Sequence, residues 1–298
     1  MMEFEKVLPQ TYLLRTPHST IWSGVYLLTG DPCIMIDTGE SDAVVDDCIV
    51  PALRSLSLTP KDIDFIINTH SHGDHAGGNR RLRELSNHAK IVAFEKAVDK
   101  IENPLPYSIK IRTRFPKFSP APPKEAKGCP VDVIVKNGDI VGNRLKVISS
   151  PGHDSECISL LDIATGALFT GDSLMGFGET EAGGTGLAFY QDLPRYKDSI
   201  AVLRSEKPEH IFASHNFAPY GYCAHGEKEV ERYFDASRIT ADIYDVLINR
   251  QIESGVTDIA EIAKKLILQV GSEPPTRLFM AMYTVSEHIK DITGQDSL

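Results

Sequence analysis

The sequence predicts an α/β fold with an all-helical C-terminal extension, and three observations predict it. Short β-rich runs alternate with helical patterns from Tyr12 to Ala213. Histidines and aspartates recur where those runs end. From about Gly226 onward the patterns are helical only, so residues 1–225 read as a catalytic domain and 226–298 as a helical domain or lid.

In chain order, Tyr12–Arg15, Val25–Thr29 and Cys33–Ile36 form a meander, with Gly30-Asp31-Pro32 as the tight turn between the last two. Asp37-Thr38-Gly39 ends a strand with a carboxylate, and Ser41 caps a helix over Val44–Leu56. Pro60 opens the connection to Ile63–Ile67, an apolar run that reads as a buried strand closed by Asn68-Thr69. A helix over Ala76–Leu85 and a strand at Lys90–Phe94 follow. Ala97 to Pro130, with prolines at 104, 106, 116, 120, 122, 123 and 130, reads as an irregular lid or binding segment.

Within that segment Lys110, Arg112, Arg114, Lys117, Lys124 and Lys127 face a single acid, Glu125. Such a reversal suits either a grip on an anionic group or a solvated basic loop. Strand signals return at Val131–Val135, Leu145–Ile148, Ile158–Leu161 and Ala167–Thr170, and Gly176–Gly186 is a glycine-rich loop beside the site. A helix over Lys197–Leu203 leads to a strand at His210–Ala213. The last three helices are Glu227–Glu253 stopped by Gly255, Asp258–Val270 capped by Thr257, and Thr276–Thr293 after Pro274-Pro275. Ile259, Ile262, Ala263, Leu266 and Ile267 give the middle one an ordinary core stripe.

The 298 residues are 42% hydrophobic and 24% charged, as in ordinary globular proteins. A net charge of −10 opposes nucleic acid and anionic membranes as partners. The five cysteines are scattered without a C-x-x-C, as in a reducing compartment. The first residues carry acids and no apolar stretch, so no secretory signal is expected, and no run reaches the ~20 apolar residues of a membrane helix. The expected location is the cytoplasm.

The chemistry gathers at I-I-N-T-H-S-H-G-D-H-A-G-G, residues 66–78. His70 and His72 alternate in an extended loop and can share one ion, whereas Asp74 and His75 fall where a helix begins and aim elsewhere. Residues at strand exits complete the set: Asp37, His153, Asp172 and His215. One divalent ion would take His70, His72 and His153, and a second Asp74, His75 and His215. Asp172 would bridge them. Asp74 would also orient a nucleophile, and Asp37 would accept an imidazole N–H and fix a ligand's tautomer. Zinc is the first expectation for the two ions, and iron or manganese also suit these ligands.

Other residues read as structural. The Gly171-Asp172-Ser173 run resembles a lipase motif, but Asp172 belongs to the metal set and Ser173 is not taken as a nucleophile. His210 reads as a satisfied strand histidine, and His18, His88 and His288 as surface groups. Arg80, Arg81 and Arg83 read as a solvated helix face, and Tyr220 and Tyr222 as packing residues.

His70-x-His72-x-Asp74-His75, with Asp37, His153, Asp172 and His215 in order, resembles the signature of the metallo-β-lactamase superfamily. The resemblance covers about Val25 to His215 and implies an αββα sandwich with a dimetal site along one edge. A carboxylate at position 172 is similar to the glyoxalase II, lactonase and acyl-thioesterase branches. The helical C-terminal third and the spacing after His153 most resemble the thioesterase of bacterial quinolone-signal biosynthesis. Family members often read G-H-G at the fifth motif; this chain reads Ser214-His215-Asn216, which leaves His225 as a rival ligand. His215 is preferred because it directly follows a strand.

The expected function is therefore a dinuclear metal-dependent hydrolase, with a metal-bridging hydroxide attacking a carbonyl. The expected substrate is a small acyl thioester, CoA-linked or on another acyl carrier, because a thiolate leaves without a dedicated acid. Lactone hydrolysis is the alternative, followed by an RNA nuclease or a regulatory protein that retains the metal site. A homodimer remains open.

Overall fold

The apolar runs before residue 136 pair into a single sheet whose parallel strand ends carry the ligand-type residues. The computed structural model describes residues 2–86, 88–181, 184–270 and 278–295. The chain divides into two units, one of Met1–Tyr107, Lys124–Ser149 and Glu156–Thr165, the other of Ser108–Pro123, Ser150–Ser155 and Gly166–Leu298.

In the first unit seven strands lie in sequence order: β1 (Glu5–Leu8), β2 (Thr11–His18), β3 (Ile21–Leu28), β4 (Ile34–Ile36), β5 (Phe65–Ile67), β6 (Lys90–Phe94) and β7 (Val133–Val135). The pairs from β1 to β4 are antiparallel and those from β4 to β7 parallel. Parallel strands are covered on both faces, which is why β4 (Ile-Met-Ile) and β5 (Phe-Ile-Ile) read as unbroken apolar runs without alternation. Ile36 lies opposite Ile67, so the residues that follow, Asp37 and Asn68-Thr69, leave the sheet side by side. Carboxyl ends of parallel strands are the usual place for a site in such sheets.

Between β4 and β5 the chain is helical from α1 (Asp42–Val44) through a π-turn (Val45–Ile49) to α2 (Val50–Ser55). Ser41 caps it, its hydroxyl accepting from the Val44 N–H, which meets one of the N-terminal donors a helix cannot pair internally. Val44, Val45, Cys48, Ile49, Ala52 and Leu53 form the buried face and share one core cluster with Leu14, Leu27, Met35 and Ile66. After β5 come α3 (Gly73–Ala76) and α4 (Asn79–Leu85), then β6, α5 (Val98–Glu102) and α6 (Leu105–Thr113), which leads the chain into the second unit. A meander of β8 (Ile140–Val141), β9 (Leu145–Ser149) and β10 (Ile158–Asp162) completes the first unit.

The second unit holds β11 (Ala167–Gly171), the short hairpin β12 (Thr180–Glu181) and β13 (Gly184–Thr185), α7 (Leu193–Ser205), β14 (His210–Phe217) and β15 (Gly221–His225). The helices α8 (Gly226–Glu253), α9 (Ile259–Gln269) and α10 (Leu278–Thr293) follow. β14 pairs in parallel with β11 and antiparallel with β15. The helices from residue 226 thus belong to the same unit as residues 166–225. No described helix is long and apolar enough to cross a membrane.

Four expectations are corrected. The segment 97–130 is not irregular throughout, because α5 and α6 lie in it; α6 buries none of its residues, so it shows no apolar stripe. Asp258, not Thr257, caps α9, accepting from the Glu261 N–H. β14 does not stop at Ala213 but runs to Phe217 with an irregular register, so His215 sits within the strand. Arg80, Arg81 and Arg83 are tethered rather than merely solvated: Arg80 bonds Asp42 and Glu84, Arg81 reaches Asp46 and Arg83 reaches Asp132. The expected helix start at Thr276 lies outside the described residues.

Gly78 is where the metal loop meets the β4 exit. A Cβ there would stand 2.3 Å from the Thr38 carbonyl oxygen, so only glycine allows this approach. Gly78→Ala should lower stability by ~1–3 kcal/mol, the usual range for overpacking, measured by denaturant unfolding.

Candidate metal centre

Asp37 closes β4 with φ +61°, a left-handed turn that points its carboxylate back across the sheet end. Buried there, it accepts three hydrogen bonds: from the Thr69 N–H and the Thr69 hydroxyl, each 2.8 Å, and from His75 Nδ1 at 2.8 Å. Two tautomers follow. His75 donates from Nδ1 and presents a lone pair at Nε2. Thr69 has given its only proton to Asp37, so at 3.1 Å its oxygen can only accept from His70 Nδ1, and His70 likewise presents Nε2.

The backbone is held as firmly. The His75 carbonyl accepts from the Thr38 N–H at 2.8 Å and from Asn68 Nδ2 at 3.0 Å, and Asn79 closes the loop onto Asn68 at 2.6 Å. The Ser23 hydroxyl donates to Asp74 Oδ2 at 2.9 Å. His70 lies 4.4 Å from the ring of His72 and 4.0 Å from that of His75.

In the second unit His153 follows β9 and Asp172 follows β11. Gly152 makes the first of these exits feasible: its φ is +146°, and a Cβ would meet the Tyr196 Cα at 2.5 Å. His153 donates from Nδ1 to the Phe189 carbonyl at 2.7 Å, which leaves its Nε2 lone pair 3.4 Å from Asp172 Oδ2. His215 Nε2 stands 3.4 Å from the same oxygen.

These donor sets suit a cation. His75 Nε2 is 3.3 Å from Asp74 Oδ2, and His153 Nε2 repeats the pattern with Asp172. An imidazole lone pair facing a carboxylate oxygen is repulsive unless positive charge stands between them. His70, His72, Asp74 and His75 in the first unit, and His153, Asp172 and His215 in the second, are all among the described ligand-type side chains that could hold a metal ion.

The rival His225 is exposed on β15 opposite His210, with the two Nδ1 atoms 3.0 Å apart. The Ser173 hydroxyl is buried against Ser150, 2.8 Å from its oxygen, which fits no nucleophilic role. His18 is not isolated: it bonds Glu40 at 2.6 Å and lies 3.9 Å from Asp74 Oδ2. His288 is not at the surface: it is fully buried, with Asp245 Oδ1 at 2.5 Å from Nδ1 and the Tyr190 hydroxyl at 2.5 Å from Nε2.

That last cluster supports the His153 half. Thr284 on α10 accepts from the Tyr190 N–H at 3.3 Å and donates to the Ala188 carbonyl at 2.9 Å. Helices α8 and α10 thereby grip the segment 188–190 whose central carbonyl orients His153. Burial holds His288 below its ordinary pKa despite Asp245, so Tyr190 donates to a neutral ring. Tyr107, whose hydroxyl is 2.7 Å from His72 Nε2, and the buried Glu156, 2.6 Å from the Ser71 hydroxyl, were missed in the sequence. Only their place near the ligand loop in space marks them.

The metallo-beta-lactamase superfamily model matches residues 23–215. The chain belongs to the metallo-β-lactamase superfamily. Its match runs from β3 to His215 and leaves α8–α10 beyond it. A beta-lactamase-like protein 2 homolog of Drosophila melanogaster is 26% identical over 93% of the chain and 84% of its own length. A hydroxyacylglutathione hydrolase of Synechococcus is 30% identical over 64% of the chain, which spans 62% of that relative. A metallo-β-lactamase family protein from Thermus thermophilus has the same fold, with a TM-score of 0.72 at 18% identity over 96% of this chain and 95% of that one. The fold is thus the metallo-β-lactamase fold, extended by a helical C-terminal region.

Both halves of this hydrogen-bond scheme can be tested. Asp37→Asn puts an amide donor against the His75 N–H and should weaken zinc binding by ~10–100-fold, measured by chelator competition. His288 binds its proton less readily folded than unfolded, so its contribution is complete above an unfolded pKa of ~6.5 and shrinks as pH falls below it. Unfolding at pH 7.5 and 5.5 should therefore show His288→Gln losing less stability than the wild type, by up to about 1.4 kcal/mol per pH unit.

Proposed function

We propose that this protein is a dinuclear metal-dependent hydrolase of thioesters. His70, His72 and His153 would hold one divalent ion and Asp74, His75 and His215 the other, with Asp172 shared. The observation that carries the reading is the proton placement: Asp37, Thr69 and the Phe189 carbonyl each take an Nδ1 proton, so His75, His70 and His153 offer unprotonated Nε2 atoms, those of His75 and His153 lying 3.3 and 3.4 Å from the Asp74 and Asp172 carboxylates. Divalent ions bound there would supply a water ionised near neutral pH and an electrophile for a carbonyl oxygen.

The protein's own groups do the rest. Ser23 restrains Asp74, which in this reading would orient the attacking water. Buried Asp37 accepts the His75 Nδ1–H, the bond that a cation at His75 Nε2 would strengthen. No general acid is needed if the leaving group is a thiolate, and that favours a thioester over a lactone, whose alkoxide leaves less readily.

The Synechococcus relative, by its name, hydrolyses a hydroxyacyl derivative of glutathione, which is acyl-sulfur chemistry of this kind. Lys110, Lys117, Lys124 and Lys127 are exposed in an otherwise acidic protein and suit the phosphates of a CoA carrier. Zinc is the metal proposed, the reaction is placed in the cytoplasm, and neither nucleic acid nor membrane is a partner in this reading.

Zinc-loaded protein offered a panel of acyl-CoA thioesters and lactones should cleave at least one thioester, and Asp172→Ala should lower the rate by ~100-fold or more. Turnover of lactones alone would move the assignment to a lactonase, and no turnover of either class would overturn it.

A further inference from the structure

We infer that Tyr107 is a positioning residue that accepts the Nε2 proton of His72 and so holds its ring in the orientation for binding metal. The inference rests on the reading of His72 as a ligand and adds what holds its ring. His70 and His75 have their Nδ1 protons taken by Thr69 and Asp37 and so present Nε2. His72 is held from the opposite side: the Tyr107 hydroxyl lies 2.7 Å from Nε2, and the phenol ring stacks on the imidazole with centroids 5.4 Å apart and planes at 23°.

An imidazole that binds a cation through one nitrogen carries its proton on the other, and that proton needs an acceptor. With Nε2 already against the Tyr107 oxygen, Nδ1 is the nitrogen that would meet the ion, and the phenol oxygen is the acceptor for Nε2–H.

Tyr107 is itself fixed. The Lys100 ammonium stands 4.3 Å from its ring centroid in a cation–π contact. Lys100 also donates to Glu156 Oε2 at 2.6 Å, and Glu156 Oε1 accepts from the Ser71 hydroxyl at 2.6 Å. Ser71 is the residue between His70 and His72, so the chain Ser71–Glu156–Lys100–Tyr107 closes back on His72 from both sides. Glu156 is completely buried, and a buried carboxylate is tolerated only with partners of this kind. The path lies wholly within the first unit. It also gives α5 and the start of α6 a role, since they carry Lys100 and Tyr107 to the metal loop.

The test uses full-length protein with 15N-labelled histidine, loaded with zinc, and the variant Tyr107→Phe. That change removes one oxygen, whereas altering Lys100 or Glu156 would leave a charge buried and unpaired. Long-range 1H–15N spectra read the tautomer of each ring, with the His72 signals assigned by their loss in His72→Gln. In the wild type His72 should carry its proton on Nε2. In Tyr107→Phe the slowly exchanging Nε2–H signal should disappear, zinc affinity should fall ~10–100-fold, and the loss of activity should lie in kcat more than in KM. A zinc-loaded wild type with His72 protonated on Nδ1, or a Tyr107→Phe protein with zinc affinity within twofold of the wild type, would overturn the inference while leaving the hydrolase reading standing. A wild type that takes up no zinc would remove both.

Discussion

A single buried carboxylate sets the geometry of the ligand-type residues of the first unit. Asp37 accepts three hydrogen bonds at 2.8 Å, two from Thr69 and one from His75. Burying a charge without partners costs several kcal/mol, so each of these donors is held in place by the cost of losing it. Because Thr69 spends its proton on Asp37, its oxygen is left as an acceptor for His70, and one acid thereby sets the protonation of two imidazoles. The parallel pairing of β4 with β5 puts Asp37 opposite the loop it controls, and the left-handed turn at residue 37 aims it.

In the second unit the ligand-type His153 is oriented by a neutral acceptor instead. The Phe189 carbonyl holds His153, and the segment that carries it is gripped by Thr284 and, through the Tyr190 hydroxyl, by His288 and Asp245. A helical region beyond the family match, α8–α10, thus contributes to the placement of a ligand-type residue. This gives the extension a structural reason to accompany the family domain.

Legibility in the sequence followed how local each interaction is. The Ser41 cap acts within three residues, and the H-x-H-x-D-H spacing carries its own geometry, so both could be read directly. Asp37 was legible because strand exits are where such folds place acids. His288 was not read as buried: its partners Asp245 and Tyr190 lie 43 and 98 residues away, and the local signal was its place three residues after Val285 and seven after Ala281 on the buried face of α10. Tyr107 sits on a helix with no buried residue, so no periodicity singles it out. At residues 257 and 258 two capping residue types adjoin, and only the backbone geometry shows that Asp258 is the one used.

Two neighbouring cations, held by imidazoles whose protons are placed elsewhere, are the centre of the proposed function. Anomalous diffraction from zinc-loaded crystals measures this directly. Two peaks about 3.5–4 Å apart, one bounded by His70, His72 and His153 and the other by Asp74, His75 and His215, are the predicted result. One peak, none, or peaks away from these side chains would contradict it.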